Sequence, residues 1–218
     1  MVRPPDDRID VYGTKGSVGV VVIHGVRGCD DYVRSVGRDL ATAGFPSAVV
    51  DLYGGKHAKD LDEGLALRAK LIDQDVLDHL EAGRDAVSRR LVPHARVGTL
   101  GFSVGGGYAL LGACKRRFDF AVDYYGRIPH ADDVESLQGP VLCLLASEDE
   151  PVTPWVLAEL LPAAMRLQKR VTVELYPGVA HGFHRPGGER YNAEAANDAW
   201  RRTLAFLQER TPPRKAPA

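Results

Sequence analysis

A chain of 218 residues with 44% hydrophobic and 26% charged residues has the composition of a globular protein and the length to bury one α/β core. Its 28 Lys and Arg oppose 29 Asp and Glu, a net charge of −1, so no global field draws it to nucleic acid or to an anionic membrane. Cys29, Cys114 and Cys143 are far apart and form no CxxC pair, which argues against a disulfide framework and a structural zinc site and suits a reducing compartment.

Residues 1–10 are polar and proline-bearing, with no apolar segment of signal-peptide length, and the cytoplasm is the expected location. Residues 18–23, the longest apolar run, are too few to cross a bilayer and read as a buried strand bounded by Gly16 and Gly25. Residues 30–43 predict a helix capped by Asp30, with Val33, Val36 and Leu40 on one face and Gly44 at its end. A second strand spans 46–52, and 54–63 is expected to form part of a rim. Helical spacing of Leu65, Ala69, Ile72, Val76 and Leu80 predicts two helices over 62–91. A strand at 96–101, a Gly- and Ala-rich helix at 104–115, and strands at 120–125 and 141–146 follow. Pro154 suits the first turn of a helix over 154–167. A strand at 171–176 precedes a closing helix at 193–208, with Ala196, Trp200, Thr203, Leu204 and Leu207 on one side. Residues 211–218 read as a disordered tail. Strands alternating with helices predict a mostly parallel central sheet flanked by helices on both faces, in a single α/β domain over residues 1–210.

The sharpest local signal is Gly101-Phe102-Ser103-Val104-Gly105, a G-x-S-x-G motif between a predicted strand and a predicted helix. A serine on so tight a turn needs neighbours without bulky side chains, and the turn lifts its hydroxyl above the sheet at a helix N-terminus. A phosphate-binding loop is excluded because no lysine follows the glycines, and a dinucleotide fingerprint fits poorly so late in the chain. An acid and a histidine must then follow. Asp149 comes just after the strand at 141–146, where a parallel sheet presents residues to its crevice; Glu148 and Glu150 read as solvated. His181 stands in a glycine-flanked loop past the strand at 171–176. Ser103 is a weak nucleophile unless His181 takes its proton, and Asp149 would hold the imidazole tautomer. The oxyanion requires two backbone donors, expected to be the N–H groups of Val104 and of Val26 in the loop 24–28. The His24 side chain reads as packing at a strand end, and so does Cys29. His181 with His184, or Lys56-His57, lacks a third ligand at a recognisable spacing, so neither a metal nor another cofactor is expected.

Together with 20–28, Asp51-Leu52-Tyr53-Gly54, Asp123-Tyr124-Tyr125-Gly126, 144–154 and His181-Gly182-Phe183, the motif resembles the dienelactone hydrolase family of α/β-hydrolases over nearly the whole chain. The resemblance implies the α/β-hydrolase fold, cleavage of a small-molecule ester or lactone through an acyl-enzyme, and a Ser103–His181–Asp149 triad. It implies a substrate-carboxylate contact for Arg185, four residues after His181, and a pocket lined by Tyr53 and Tyr125. The chain departs from the family's lactone-specific members at two positions. It has Ser103 where they carry a cysteine, and Gly25 where they carry a glutamate that restrains the thiol. Acyl transfer on the same triad and a catalytically silent binding protein are the competing functions.

Overall fold

The computed structural model describes residues 8–128 and 130–211. Strands β1 (Ile9–Tyr12), β2 (Gly16–Ile23), β3 (Ser47–Val50), β4 (Leu91–Phe102), β5 (Ala121–Tyr124), β6 (Val141–Glu148) and β7 (Val171–Ala180) form one sheet in the order β1-β3-β2-β4-β5-β6-β7. Every pairing is parallel except that of β1 with β3. The helices are α1 (Asp31–Thr42), α2 (Leu61–Arg68), α3 (Asp73–Ser88), α4 (Val104–Lys115), α5 (Thr153–Trp155), α6 (Leu161–Arg166) and α7 (Ala193–Gln208). A π-helical turn, Val156–Leu160, joins α5 to α6, and a 3-10 turn covers Ala131–Ser136. Among the described residues no helix is long and apolar enough to cross a membrane.

The mainly apolar run of β2 follows from burial on both faces. Val21 and Ile23 join a core with Leu80 of α3 and Leu110 of α4, while Val18, Val20 and Val22 join one with Leu40 of α1 and Leu207 of α7. Side chains alternate across a strand, so one continuous run supplies both cores.

β1 is an element the sequence reading lacks. Its four residues are half-buried at the sheet edge, where Asp10 takes an ion pair from Arg34 at 2.8 Å, so no strong apolar alternation marks it. The helical stretch expected over 62–91 ends at Ser88, and Leu91 opens β4. Beyond Leu91 the pairing with β2 slips, so that residues 92–95 stand opposite Ser17 alone. Pro93 cannot donate to a ladder and His94 has φ 63°, which explains why only the regular part of this strand is legible. β7 bulges likewise: residues 177–179 oppose Ser147 alone, at a proline and at Gly178 with φ 65°. The expected disordered tail lies outside the described residues except for Thr211, whose N–H donates to Gln208 O at 3.0 Å. Segment 54–63, expected as part of a rim, is ordered at its end by the caps of α2, and none of its residues lines the cavity described below. Asp60 accepts from Glu63 N at 2.8 Å, and Glu63 Oε2 accepts from Lys59 N at 2.9 Å.

Two features set the floor beneath the β4–α4 turn. Gly98 in β4 faces the Phe120 ring so closely that a Cβ would lie 2.2 Å from it. Asp123 in β5 is fully buried, and its Oδ1 accepts from Gly126 N at 2.7 Å, which fixes the turn through Tyr125. Burial pushes the Asp123 carboxyl from 3.8 up to about 7; the Gly126 bond opposes this shift and the charge of Asp149 adds to it.

Gly98→Ala should cost about 1–3 kcal/mol in urea unfolding through overpacking, and much less in a Phe120→Ala background. Equal costs in both backgrounds would show that the ring is not what excludes the methyl. For Asp123, the folded chain holds a proton up to about pH 7 that the unfolded chain releases near 3.8. The folded state therefore binds more protons in that window, and stability falls as pH rises through it. Asp123→Asn should remove this loss, on the order of 2–4 kcal/mol, between pH 4 and 8. Parallel pH profiles of unfolding for the two proteins would refute the assignment.

Candidate active site

Ser103 sits between β4 and α4 at φ 55°, ψ −115°, a conformation rarely adopted by a residue with a Cβ. Two glycines make the turn possible. A Cβ on Gly101 would fall 1.9 Å from Gly105 O, and one on Gly105 would fall 2.4 Å from His24 O. The backbone is held from both sides. Ser103 N–H donates to Tyr124 O at 2.8 Å, and Gly107 N–H donates to Ser103 O at 3.1 Å.

Asp149 follows β6 and is 1% exposed; its main-chain oxygen accepts from Thr153 N at 3.0 Å, which starts α5. His181 follows the bulged end of β7, and Gly182 beside it has φ 86°. The three side chains meet. Ser103 Oγ is 2.8 Å from His181 Nε2, and His181 Nδ1 is 2.6 Å from Asp149 Oδ2. His181 thus faces the carboxylate with Nδ1 and the serine hydroxyl with Nε2. The Tyr125 ring packs against His181 at 5.0 Å, and Glu148 and Glu150 stay exposed.

The remaining expected residues divide. Val104 lies at the first position of α4, where a main-chain N–H has no intrahelical partner. Val26 lies in the turn closed by Gly28 N to Gly25 O at 3.1 Å. That turn abuts the serine, since a Cβ on Gly25 would lie 3.7 Å from Ser103 Cβ. A cavity of about 550 Å³ opens over Ser103, Val104, Tyr125 and His181. Tyr53 is not among its lining residues. Its ring packs edge-on against His24 at 4.6 Å, and burial pushes its hydroxyl up to about 12.

Arg185, expected to meet a substrate carboxylate, is not among the lining residues either. Its guanidinium pairs with Asp30, the cap of α1, and stands 5.1 Å from the Tyr32 ring centre. Burial would raise the Asp30 carboxyl, but the bond and charge of Arg185 outweigh it and hold the carboxyl below its ordinary value. The pair ties the loop after His181 to α1. His184, half of the dismissed metal pair, is 2.7 Å from the Tyr32 hydroxyl, and burial pushes its ring down to about 4.

The sequence reading missed the cavity's own cations. Arg68, at the end of α2, and Arg127, just past Tyr124-Tyr125-Gly126, both line it. Arg127 stands 5.3 Å from the Trp155 ring centre. Its place beside a motif already singled out was the available signal. Asp73 also lines the cavity and is engaged by the Tyr108 hydroxyl at 2.9 Å.

Comparison with known proteins agrees with this architecture. A protein of a Bradyrhizobium species described as a probable 2-oxo-3-(5-oxofuran-2-ylidene)propanoate lactonase is 30% identical over 208 residues, 87% of this chain and 82% of its own. A candidate carboxymethylenebutenolidase of Saccharolobus solfataricus is 27% identical over 88% of this chain and 89% of its own. Among solved structures, a candidate dienelactone hydrolase of Klebsiella pneumoniae superposes with a TM-score of 0.82 at 23% identity, over 90% of this chain and 88% of that one, which establishes the shared fold. The model of the dienelactone hydrolase family matches residues 11–211, and with nearly the whole described chain inside that match, this protein belongs to the dienelactone hydrolase family.

Proposed function

We propose that this hydrolase cleaves a carboxylic ester or lactone through an acyl-enzyme on Ser103. The observation that carries the reading is the unbroken hydrogen-bonded chain from Ser103 Oγ through His181 to Asp149, with Ser103 and His181 both at the cavity. In the proposed first step Ser103 Oγ attacks the carbonyl carbon while His181 Nε2 takes the hydroxyl proton. Asp149 keeps the ring oriented and stabilises the imidazolium. The N–H groups of Val26 and Val104 would receive the oxyanion, Val104 with the added field of the α4 N-terminus. The tetrahedral adduct collapses as His181 protonates the departing alkoxide. For a lactone that alkoxide remains part of the acyl group. Water, deprotonated by His181, then releases the acid and restores Ser103.

The names of the relatives suggest a lactone bearing a carboxylate as the substrate class. Arg68 and Arg127 support that reading, since they bring two guanidinium groups to the cavity, and Arg127 has the Trp155 ring behind it. A cytoplasmic location stays part of the proposal on the sequence alone, from three cysteines with no CxxC pair. Burial pushes the Cys29 and Cys114 thiols up to about 12, which keeps them unreactive.

A fluorophosphonate probe should form one adduct, on Ser103, read by peptide mass spectrometry. Ser103→Ala should lose the adduct and lower kcat by about 10⁴-fold or more on a chromogenic ester. A folded Ser103→Ala that still turns over substrate would refute the acyl-enzyme. Arg127→Ala should raise KM about 10-fold for a carboxylate-bearing ester and less than about twofold for its neutral methyl analogue, the loss of one charge-assisted contact. An equal change for both esters would remove Arg127 from substrate recognition.

A further inference from the structure

His24 directly follows β2 and is 1% exposed. Its ring has two short contacts: Nδ1 is 2.7 Å from Gly25 O, and Nε2 is 3.0 Å from Leu52 N. A main-chain N–H only donates, so Nε2 accepts and Nδ1 carries the proton that it donates to Gly25 O. Burial holds the ring below its ordinary pKa, against the Gly25 bond and the charge of Asp51, whose Oδ1 is 3.8 Å from Nε2. The ring is therefore neutral and held in one tautomer, and the edge of Tyr53 packs against it.

The carbonyl that receives this proton belongs to the same peptide unit as the Val26 N–H. No peptide bond among the described residues is cis, so the C=O and N–H of that unit point in opposite directions. Fixing the carbonyl fixes the direction of the N–H. Gly28 N–H donates to the same carbonyl at 3.1 Å, and an amide whose oxygen accepts hydrogen bonds becomes a stronger donor at nitrogen. Gly25 has no side chain through which to hold its own orientation, so an external anchor for this peptide has a task.

We propose that His24 is a positioning residue of the oxyanion hole, whose Nδ1–H anchors the Gly25–Val26 peptide so that the Val26 N–H faces the developing oxyanion. The proposal rests on the reading of Ser103 as nucleophile and of Val26 as donor. It gives His24 a role beyond the strand-end packing read from the sequence.

Two isosteric halves of the ring separate its contacts. His24→Asn retains a donor near Nδ1 and loses the acceptor for Leu52, whereas His24→Gln retains an acceptor near Nε2 and loses the donor to Gly25. His24→Asn should keep kcat within about fivefold of the wild type. His24→Gln should lower kcat about 10- to 100-fold with KM within about threefold, as when one oxyanion donor is weakened. A role in packing alone would move both variants together, and equal kcat values would overturn the proposal.

Wild-type protein labelled with ¹⁵N-histidine supplies a reading independent of folding in the variants. Long-range ¹H–¹⁵N correlation should show His24 protonated at Nδ1 only, with that resonance shifting when a fluorophosphonate forms the tetrahedral adduct on Ser103. An Nε2–H tautomer, or an Nδ1–H unmoved by the adduct, would overturn the proposal. Activity of Ser103→Ala, run alongside, identifies the separate case in which the nucleophile reading itself fails.

Discussion

The structure depends on one local strain. Ser103 is held at φ 55°, which costs on the order of 1–3 kcal/mol for a residue with a Cβ and persists only where the surroundings over-determine it. Here they do. Tyr124 O takes the Ser103 N–H from the neighbouring strand, and Gly107 N–H holds the Ser103 carbonyl from within α4. Gly101 and Gly105 let strand and helix approach to distances that no side chain would allow. The strain sets the position of the hydroxyl, and the floor below it, with Phe120 against Gly98 and Asp123 under the turn, is filled so that the strand cannot relax downwards.

The same constraint explains why the other members of the site come from so far away in the chain. A parallel sheet brings the carboxyl ends of its strands to one edge. β4 delivers Ser103, β6 delivers Asp149, and β7 delivers His181. Regular pairing alone would leave the β6 and β7 ends level. The bulge at residues 177–179 adds length to β7, with Gly178 N–H taken by the Ser147 hydroxyl at 2.8 Å, and it is this extra length that carries His181 past the sheet toward Ser103. Beyond the histidine, Arg185 on Asp30 fastens the returning loop to the cap of α1.

What was legible in the sequence follows from these forces. The strands buried on both faces announce themselves as short apolar runs, and the motif around Ser103 is readable because the crowding leaves only glycine at two positions. β1 was not legible because an edge strand with one face half-exposed carries a mixed pattern, and the true lengths of β4 and β7 were hidden by bulges at Pro93 and Pro177. The substrate contact of Arg185 rests on the family resemblance, and a resemblance along a loop does not say which carboxylate of the chain itself the arginine meets. Asp30, an N-cap by its helix signal, was already there to meet it. Arg68 and Arg127 escaped for the opposite reason: one ends α2 and the other lies in the loop after β5, and only the fold brings them to one cavity.

Serine at position 103 and glycine at position 25 form a consistent pair. A Cβ on Gly25 would lie 3.2 Å from Phe102 O and 3.7 Å from Ser103 Cβ, so any longer side chain there would extend from a point already touching the proposed nucleophile. A thiol restrained by a neighbouring carboxylate needs such a group; a hydroxyl within 2.8 Å of His181 Nε2 does not. Removing the side chain has a second consequence. Glycine has more main-chain freedom than any other residue, and it is placed here in the loop whose amide is proposed to receive the oxyanion. Freedom at that point would blur the geometry on which electrostatic stabilisation depends. The buried ring of His24, fixed in one tautomer between Gly25 O and Leu52 N, is positioned to restore the lost order. The residue before the glycine thus supplies the rigidity that the glycine gives up.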